Sequence, residues 1–185
     1  MDRRTLKTQI AIRDTFIALL KERSIHQITV AEITRRANLG RGTFYLHYKD
    51  VYDLYELIQN NLFTELEQLF NNAYPSFDPV NLMELTNTLT TYLDKNREII
   101  LLIIQTEDNG KVLQKLKTFF SNKVLWEDPS LYTSEYDVVE SMFIVAGVIG
   151  VLEEWLKSGM GLTQLQIAAM LKKILIKFVA SDVIK

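Results

Sequence analysis

A short stretch near the N-terminus carries several side chains that suit the recognition of nucleic acid. The run Gly40-Arg41-Gly42-Thr43 combines two small residues, which allow the backbone to approach closely, with a guanidinium and a hydroxyl group. Arginine can grip a phosphate or a guanine edge, and threonine offers both a hydroxyl and a methyl group. Further hydrogen-bond donors follow at Tyr45, His47 and Lys49. The pattern predicts a surface that contacts duplex DNA.

The common catalytic and metal-binding patterns are missing from the sequence. It contains no cysteine, which excludes disulfides, zinc-thiolate sites, iron–sulfur clusters and a cysteine nucleophile. The two histidines, His26 and His47, are too few and too far apart for a His-rich metal site. The carboxylates of Glu153-Glu154 are adjacent, so on a helix they point about 100° apart and do not converge on a substrate. We therefore expect no catalytic residues, no metal and no cofactor, and an enzyme is the least favoured class.

Charge is distributed unevenly along the chain. The net charge of the 185 residues is −2, but residues 1–50 contain ten Lys or Arg and five Asp or Glu, which leaves the remaining residues at −7. A basic head on an acidic body is typical of a protein whose head meets a polyanion. The alternative is chance clustering on a solvated surface, and charge alone does not decide between the two.

The composition is that of an ordinary globular protein. It is 48% hydrophobic and 24% charged, and only 7 Gly and 3 Pro leave little room for a turn-rich all-β architecture. The longest apolar run, Met142–Leu152, is shorter than the roughly 20 residues that a membrane span needs. No apolar signal core follows Arg3 and Arg4. We expect a cytoplasmic protein without a membrane partner.

Helical periodicity dominates the first fifty residues. A first amphipathic helix ends near Ser24, and its apolar residues recur at helical spacing at Leu6, Ile10, Ile17 and Leu20. Thr29 and Glu32 form the pattern of a capping box, so a second helix should begin at Val30. Asn38-Leu39-Gly40 ends that helix, since Asn and Gly tolerate positive φ.

A third short helix is predicted from about Arg41 to Tyr48. Two short helices joined by a tight turn inside a basic three-helix head are the ingredients of a helix-turn-helix, whose second helix lies in the major groove. Phe44 and Tyr48 are the apolar residues that would anchor this helix to the first. Asp50 then suits the N-cap of a longer fourth helix.

The remainder of the chain is also predicted to be helical, which gives about nine helices, no sheet and an all-α fold. The six aliphatic residues of Ile99–Ile104 indicate a buried helix rather than a strand, because no partner strand lies nearby. Ser134 or Thr133 caps a long helix that ends at Gly159, and Thr163 begins the last helix.

The motif around the third helix resembles the DNA-binding head of TetR/AcrR-family transcriptional regulators. The likeness runs from about Ile10 to Leu54 and depends on Ile28–Ile33 and Arg36–Asp50, where the threonine, the Arg-Gly-Thr-Phe-Tyr run and the histidine fall at the family's spacing. A weaker likeness joins Gly147–Gly159 to the penultimate helix of one branch of that family. The resemblance implies an all-α homodimer that binds a pseudo-palindromic operator and usually represses. It also implies a small-molecule effector that changes the spacing of the two heads.

The resemblance further implies which residues touch DNA. The positions that match the family's DNA contacts are Thr29, Arg41, Gly42, Thr43, Tyr45, His47 and Lys49. Val51 departs from the pattern, because many members carry there a lysine that meets a phosphate, a contact that Lys49 would replace in part. The missing lysine keeps open an alternative, a co-regulator of the same fold that acts through a protein partner. We place the helix-turn-helix domain at residues 1–50 and the ligand-binding and dimerisation domain at residues 51–185.

The second domain offers a candidate dimer surface and a candidate pocket. Ala146, Gly147 and Gly150 make one face of the long helix small, so that another helix could approach closely. Together with the last helix, this face would build a four-helix interface in a two-fold dimer, although it could instead pack inside its own subunit. The candidate pocket residues are Tyr92, Phe119, Trp126 and Phe143. Aromatic residues at helical spacing also occur as plain core, which is the alternative for each of the four.

Overall fold

The computed structural model describes residues 3–73, 79–105, 109–126 and 134–182 of the chain. Within these ranges it contains nine α-helices, one short 3-10 turn at Ile25–Gln27 and no strand. The all-α class expected from the sequence is confirmed. The helices are α1 (Arg3–Glu22), α2 (Val30–Arg36), α3 (Arg41–Tyr45), α4 (Val51–Ala73), α5 (Pro79–Lys95), α6 (Arg97–Gln105), α7 (Asn109–Trp126), α8 (Glu135–Ser158) and α9 (Gln164–Asp182).

The helices group into two compact units, Met1–Glu65 and Leu66–Lys185. Helix α4 contributes residues to both units. Within the described ranges, none of the helices has the length and apolar character needed to cross a membrane. The domain boundary after Asp50 stays a prediction.

The core of the first unit is built from one residue or more of each of its helices. Six side chains are at most 1% exposed: Ile12, Phe16, Leu19, Ile33, Phe44 and Leu54. The apolar stripe predicted for α1 is therefore not the buried one, because Leu6 is 49% and Ile10 is 46% exposed. Helix α1 has apolar residues on more than one face, and contact with α2 and with Tyr55 of α4, rather than the α1 pattern, decides which face is covered.

The turns that flank α2 follow the sequence pattern in part. The Thr29 hydroxyl accepts the Glu32 backbone N–H at 3.2 Å, as predicted. The second hydrogen bond of a capping box, from the Thr29 backbone N–H to the Glu32 carboxylate, is not formed. The Glu32 carboxylate instead contacts Arg23 at 3.2 Å and Arg36 at 3.3 Å. After α2, Asn38 takes a positive φ of 53°, whereas Gly40 is extended with φ −75°. Only the asparagine therefore uses the left-handed conformation in this turn.

An ion-pair network ties the end of α1 to α2. The Arg36 guanidinium donates to both oxygens of the Glu22 carboxylate, at 2.6 and 2.8 Å. This bidentate hydrogen bond from Arg36, supported by Arg23, lowers the pKa of Glu22 to about 2. We call Arg23, Glu22, Glu32 and Arg36 the α1–α2 clamp.

The second unit is organised around α8. The Ser134 side chain and Asp137 form a capping box at its start, so Ser134 rather than Thr133 is the cap, and Gly159 ends the helix with φ +73°. Trp155 is fully buried and donates its indole N–H to the Leu162 carbonyl at 3.1 Å. The Arg97 guanidinium donates to the Trp155 carbonyl at 2.6 Å and lies 5.2 Å from the Trp155 ring centroid.

The remaining helices of this unit agree with the sequence pattern. The aliphatic segment Ile99–Ile104 lies in α6, and four of its residues are buried, which confirms the prediction of a buried helix. Helix α9 packs against α5. Its first residue, Gln164, donates an amide N–H to the Thr90 hydroxyl at 2.8 Å, and Thr90 is fully buried.

The α1–α2 clamp predicts a specific acid sensitivity. Below the ordinary glutamate pKa of 4.5 the unfolded chain protonates Glu22 while the folded chain does not. Stability from this group is thus complete above pH 4.5 and is lost as the pH falls toward 2. Glu22→Gln should therefore show a shallower loss of unfolding free energy across this range than the wild type, measured by urea unfolding at a series of pH values.

The matched control for that measurement is Glu56→Gln, which removes an exposed α4 carboxylate outside the clamp. It should retain the wild-type pH dependence between 5 and about 2. Parallel curves for the wild type and Glu22→Gln would contradict a stabilising role for the clamp.

Candidate nucleic-acid interface

Helix α3 is a five-residue helix whose buried side is anchored by aromatic packing. Phe44 is fully buried, and its ring centroid lies 5.4 Å from that of Tyr48, which is 5% exposed. The predicted anchoring role of these two residues agrees with this burial. Of the other residues of α3, Arg41, Gly42 and Tyr45 are exposed and Thr43 is half-buried. The helix is shorter than the predicted Arg41 to Tyr48, because the regular helix ends at Tyr45.

An open groove of about 520 Å³ lies between α2 and α3. It is lined by Thr29, Ala31, Glu32, Thr34, Arg35, Leu39 and Arg41. The structure thus brings together Thr29 and Arg41, which were predicted from separate parts of the motif. It adds Arg35, whose role the sequence analysis missed. Two guanidinium groups beside one groove suit contact with a phosphate backbone, because arginine donates hydrogen bonds in a fixed fork.

Five of the basic residues of the first unit, those around α2 and α3, fall into two groups. Arg23 and Arg36 are committed to the α1–α2 clamp. In the part of the chain that the structure describes, Arg35, Arg41 and Lys49 form no ion pair, and all three are exposed. The second group is therefore available to an external anion.

The last predicted DNA contacts lie in the turn between α3 and α4. His47 is half-buried, with its ring centroid 6.1 Å from that of Tyr48, and Lys49 is exposed. The Lys49 backbone N–H donates to the Asp53 carboxylate at 2.9 Å, and the Asp53 N–H donates to Asp50 at 2.9 Å. The predicted N-cap at Asp50 is thereby confirmed.

Two further features of this region were not predicted. Val51, which replaces the lysine of many family members, is only 6% exposed, so its side chain belongs to the core. Leu46, which was passed over in favour of its polar neighbours, is 80% exposed. Its position two residues after the buried Phe44 could have indicated this, since two residues turn a helix by about 200°.

The four candidate pocket residues occupy different surroundings. Tyr92 and Phe119 are half-buried, and the Phe119 ring makes edge contacts with Phe70 and Phe120 at centroid distances of 6.0 and 5.1 Å. Phe143 is 69% exposed on α8. The Trp126 side chain lies outside the described part of the chain. Their role in ligand binding stays a prediction.

One face of α8 is both apolar and exposed. Val139 is 64% and Phe143 is 69% exposed, and both belong to the same helical stripe as Gly147 and Gly150. A methyl group added at either glycine would meet nothing within 4 Å. Helix α9 also exposes large apolar side chains, at Leu165, Met170, Ile174 and Ile176. We call the α8 stripe of Val139, Phe143, Gly147 and Gly150 the apolar face.

Comparison with known proteins gives consistent matches over both units. Residues 12–58 match a family model described as bacterial regulatory proteins, tetR family, and residues 80–177 match one described as a transcriptional regulator C-terminal region. The uncharacterized HTH-type transcriptional regulator YxbF of Bacillus subtilis (strain 168) is 30% identical over 78 residues. That alignment covers 42% of this chain and 20% of YxbF, so it spans a fifth of the relative's length.

Solved structures share the fold at low sequence identity. NalD, the secondary repressor of the MexAB-OprM multidrug efflux pump in Pseudomonas aeruginosa, is 20% identical with a TM-score of 0.69, and the match covers 94% of this chain and 96% of that one. The dihydroxyacetone kinase operon activator DhaS is 19% identical with a TM-score of 0.61, covering 94% and 95%. Because one family model covers more than half of the residues and another covers the helix-turn-helix, the chain belongs to the TetR/AcrR family of helix-turn-helix transcriptional regulators.

Proposed function

We propose that this protein binds operator DNA directly, as a homodimer in which each protomer places α3 in the major groove of one half-site. The observation that carries the proposal is the arrangement of α3, where Arg41 and Tyr45 are exposed over the fully buried Phe44. The contact residues are those predicted from the sequence: Thr29, Arg41, Gly42, Thr43, Tyr45, His47 and Lys49. Arg35, which lines the groove between α2 and α3 on the protein surface, adds a further positive charge.

The proposed contacts divide by chemistry. Arg41 and Tyr45 can donate to base edges or phosphates, while Thr29, His47 and Lys49 lie before and after α3 and suit the phosphate backbone. Phosphate contacts set affinity and orientation, and base contacts set sequence preference. The proposed operator is pseudo-palindromic, with half-sites one helical turn of about 34–36 Å apart, because two-fold symmetric proteins match two-fold symmetric sites.

The apolar face supports the last two helices as the dimer interface. Helix α8 packs against α7 inside its own protomer, and Val145 and Ile149 lie on its buried side. The opposite side exposes Val139 and Phe143, which water solvates poorly. The open space at Gly147 lets a second helix approach closely. A four-helix interface from two copies of α8 and α9 would cover these residues.

We further propose that the protein is a repressor that a small-molecule effector releases from its operator. Repression that is relieved by a small molecule is the usual mode of the family that the sequence resembles. The shared fold does not decide the sign, since NalD is a repressor and DhaS an activator by their own descriptions. Tyr92, Phe119 and Trp126 remain the proposed pocket residues, whereas Phe143, the fourth candidate, is 69% exposed and is proposed for the dimer interface instead. A protein with this function acts on cytoplasmic DNA and needs neither a membrane partner nor catalysis.

Two observations favour a second candidate function, that of a co-regulator acting through a protein partner. Val51 is buried where many family members present a lysine to a phosphate, so one backbone contact is lost. The α1–α2 clamp also withdraws Arg23 and Arg36 from the surface charge. Sequence-specific binding of the purified protein to DNA, with no other protein present, would exclude this alternative.

Removal of Arg41 tests direct DNA binding. The probe is a duplex that the wild-type protein selects from a random-sequence pool, and binding is followed by fluorescence anisotropy at several salt concentrations. Arg41→Ala should weaken binding by about tenfold or more if the guanidinium contacts a base, or lower the salt slope by about one per lost phosphate contact. Lys117→Ala, which removes an equal charge from an exposed position of α7, should bind as the wild type does. Unchanged affinity and salt slope in Arg41→Ala would refute the proposal.

A leucine at Gly147 tests the dimer interface. The added side chain meets no atom within 4 Å of its first carbon in the same protomer, so folding should be retained. Replacing a helical glycine should even favour the helix by up to about 1 kcal/mol. Gly147→Leu should nevertheless weaken dimerisation by at least tenfold, measured by sedimentation over a range of protein concentrations. Gln114→Leu on α7 adds the same side chain to an exposed position and is the control; a Gly147→Leu dimer as tight as the wild type would place the interface elsewhere.

A further inference from the structure

The outermost edge of α3 is apolar rather than polar. Phe44 is fully buried, and the residues two positions before and after it, Gly42 and Leu46, lie about 200° away around the helix, on the side opposite the core. The Leu46 N–H donates to the Gly42 carbonyl at 3.1 Å, so the helical path continues through Leu46. Thr43 and Tyr45 flank this edge instead of forming it.

Nothing in its own unit covers Leu46. At 80% exposed, it is the most exposed large hydrophobic side chain in the part of the chain that the structure describes. The neighbouring edge position, Gly42, has no side chain, and a methyl group there would meet nothing within 4 Å. Any surface that faces α3 can therefore approach its backbone at Gly42 and must contact the isobutyl group of Leu46.

The major groove of DNA offers one apolar feature at the base edges, the 5-methyl group of thymine. The other groups displayed there are hydrogen-bond donors and acceptors, to which a leucine offers nothing. Contact between two apolar groups in water is favourable, whereas a leucine set against polar base atoms leaves those atoms without partners.

We propose that Leu46 is a specificity-determining residue that contacts a thymine 5-methyl group in each half-site of the operator. This inference rests on the proposed function and deepens it, because it names one base that the operator must contain. The methyl group of Thr43, three residues before Leu46 and next to the same edge, can extend the contact. Arg41 and Tyr45 then supply the polar contacts around this apolar centre.

The experiment replaces thymine by deoxyuridine, which lacks only the 5-methyl group. The probe is the duplex that the wild-type protein selects from a random-sequence pool, and each thymine is replaced in turn, together with its symmetry mate. The wild-type protein should lose about fourfold in affinity per methyl contact removed, and thus about sixteenfold for one symmetric pair. The remaining replacements should leave affinity unchanged.

Leu46→Ala provides the second arm. This protein should bind the thymine duplex more weakly than the wild type and should no longer distinguish the thymine from the deoxyuridine duplex at the sensitive pair. Leu57→Ala, which makes the same change at a 43% exposed position of α4, should keep the wild-type preference. The wild-type measurement needs no altered protein, so it stands even if a variant folds poorly.

Three results would overturn the proposed contact between Leu46 and thymine. A wild-type protein that binds the selected duplex but tolerates every deoxyuridine overturns the inference and leaves the proposed function intact; this is the result expected if Leu46 is covered by a protein partner. A sensitive thymine pair that stays sensitive in Leu46→Ala also overturns it, since another residue then makes the contact. Failure to select any duplex overturns the inference and the proposed function together.

Discussion

The direction of α3 depends on the burial of Phe44. A five-residue helix is too short to be stable in water by itself, because helices below about 12–15 residues are marginal even in favourable sequences. Phe44 is fully buried, and truncating a buried phenylalanine to alanine typically costs about 3–5 kcal/mol. Exposed ion pairs contribute about 0–1 kcal/mol each. The aromatic anchor therefore outweighs any single charge pair in fixing which side of α3 faces outward.

Ion pairing divides the basic residues around α2 and α3 into two groups. Arg36 and Arg23 hold Glu22 and Glu32, and so join the end of α1 to α2. Arg35, Arg41 and Lys49 stay exposed without ion pairs in the described ranges. A net charge counted from the sequence includes both groups, but the charges of the first group are balanced by their own ion pairs, whereas those of the second group are not. The clamp joins the end of α1 to α2, the helix that contributes Arg35 to the groove.

The sequence predicted the elements well and their packing less well. Local signals such as the Thr29 cap, the Asp50 cap and the break near Asn38 depend on residues a few positions apart, and the structure contains them. The clamp was not predictable in this way, because Glu22 and Arg36 are fourteen positions apart and no local pattern pairs them. The buried face of α1 was missed for a related reason: its neighbours, rather than its own periodicity, select that face.

In the candidate site, too, some residues could be predicted from the sequence and others depend on packing. The polar residues of α3 were found because their side-chain chemistry suggests DNA contact, and the structure leaves Arg41 and Tyr45 exposed. Leu46 was overlooked because a leucine in a helix suggests core. Its meaning depends on which direction α3 faces, and that direction is known only once Phe44 is placed.

The apolar face of α8 and the shortness of α3 both favour the pairing of two chains. A helix that is apolar on opposite sides needs a partner on each side. The helices of its own protomer cover α8 on the side of Val145 and Ile149. Phe143, on the other side, is 69% exposed in the isolated chain and would be covered in the proposed dimer. A single α3 can contact only a few base pairs, which is too little for a specific site in a genome. Pairing two chains through α8 and α9 would bury the apolar face and double the number of base contacts, so one association satisfies both requirements.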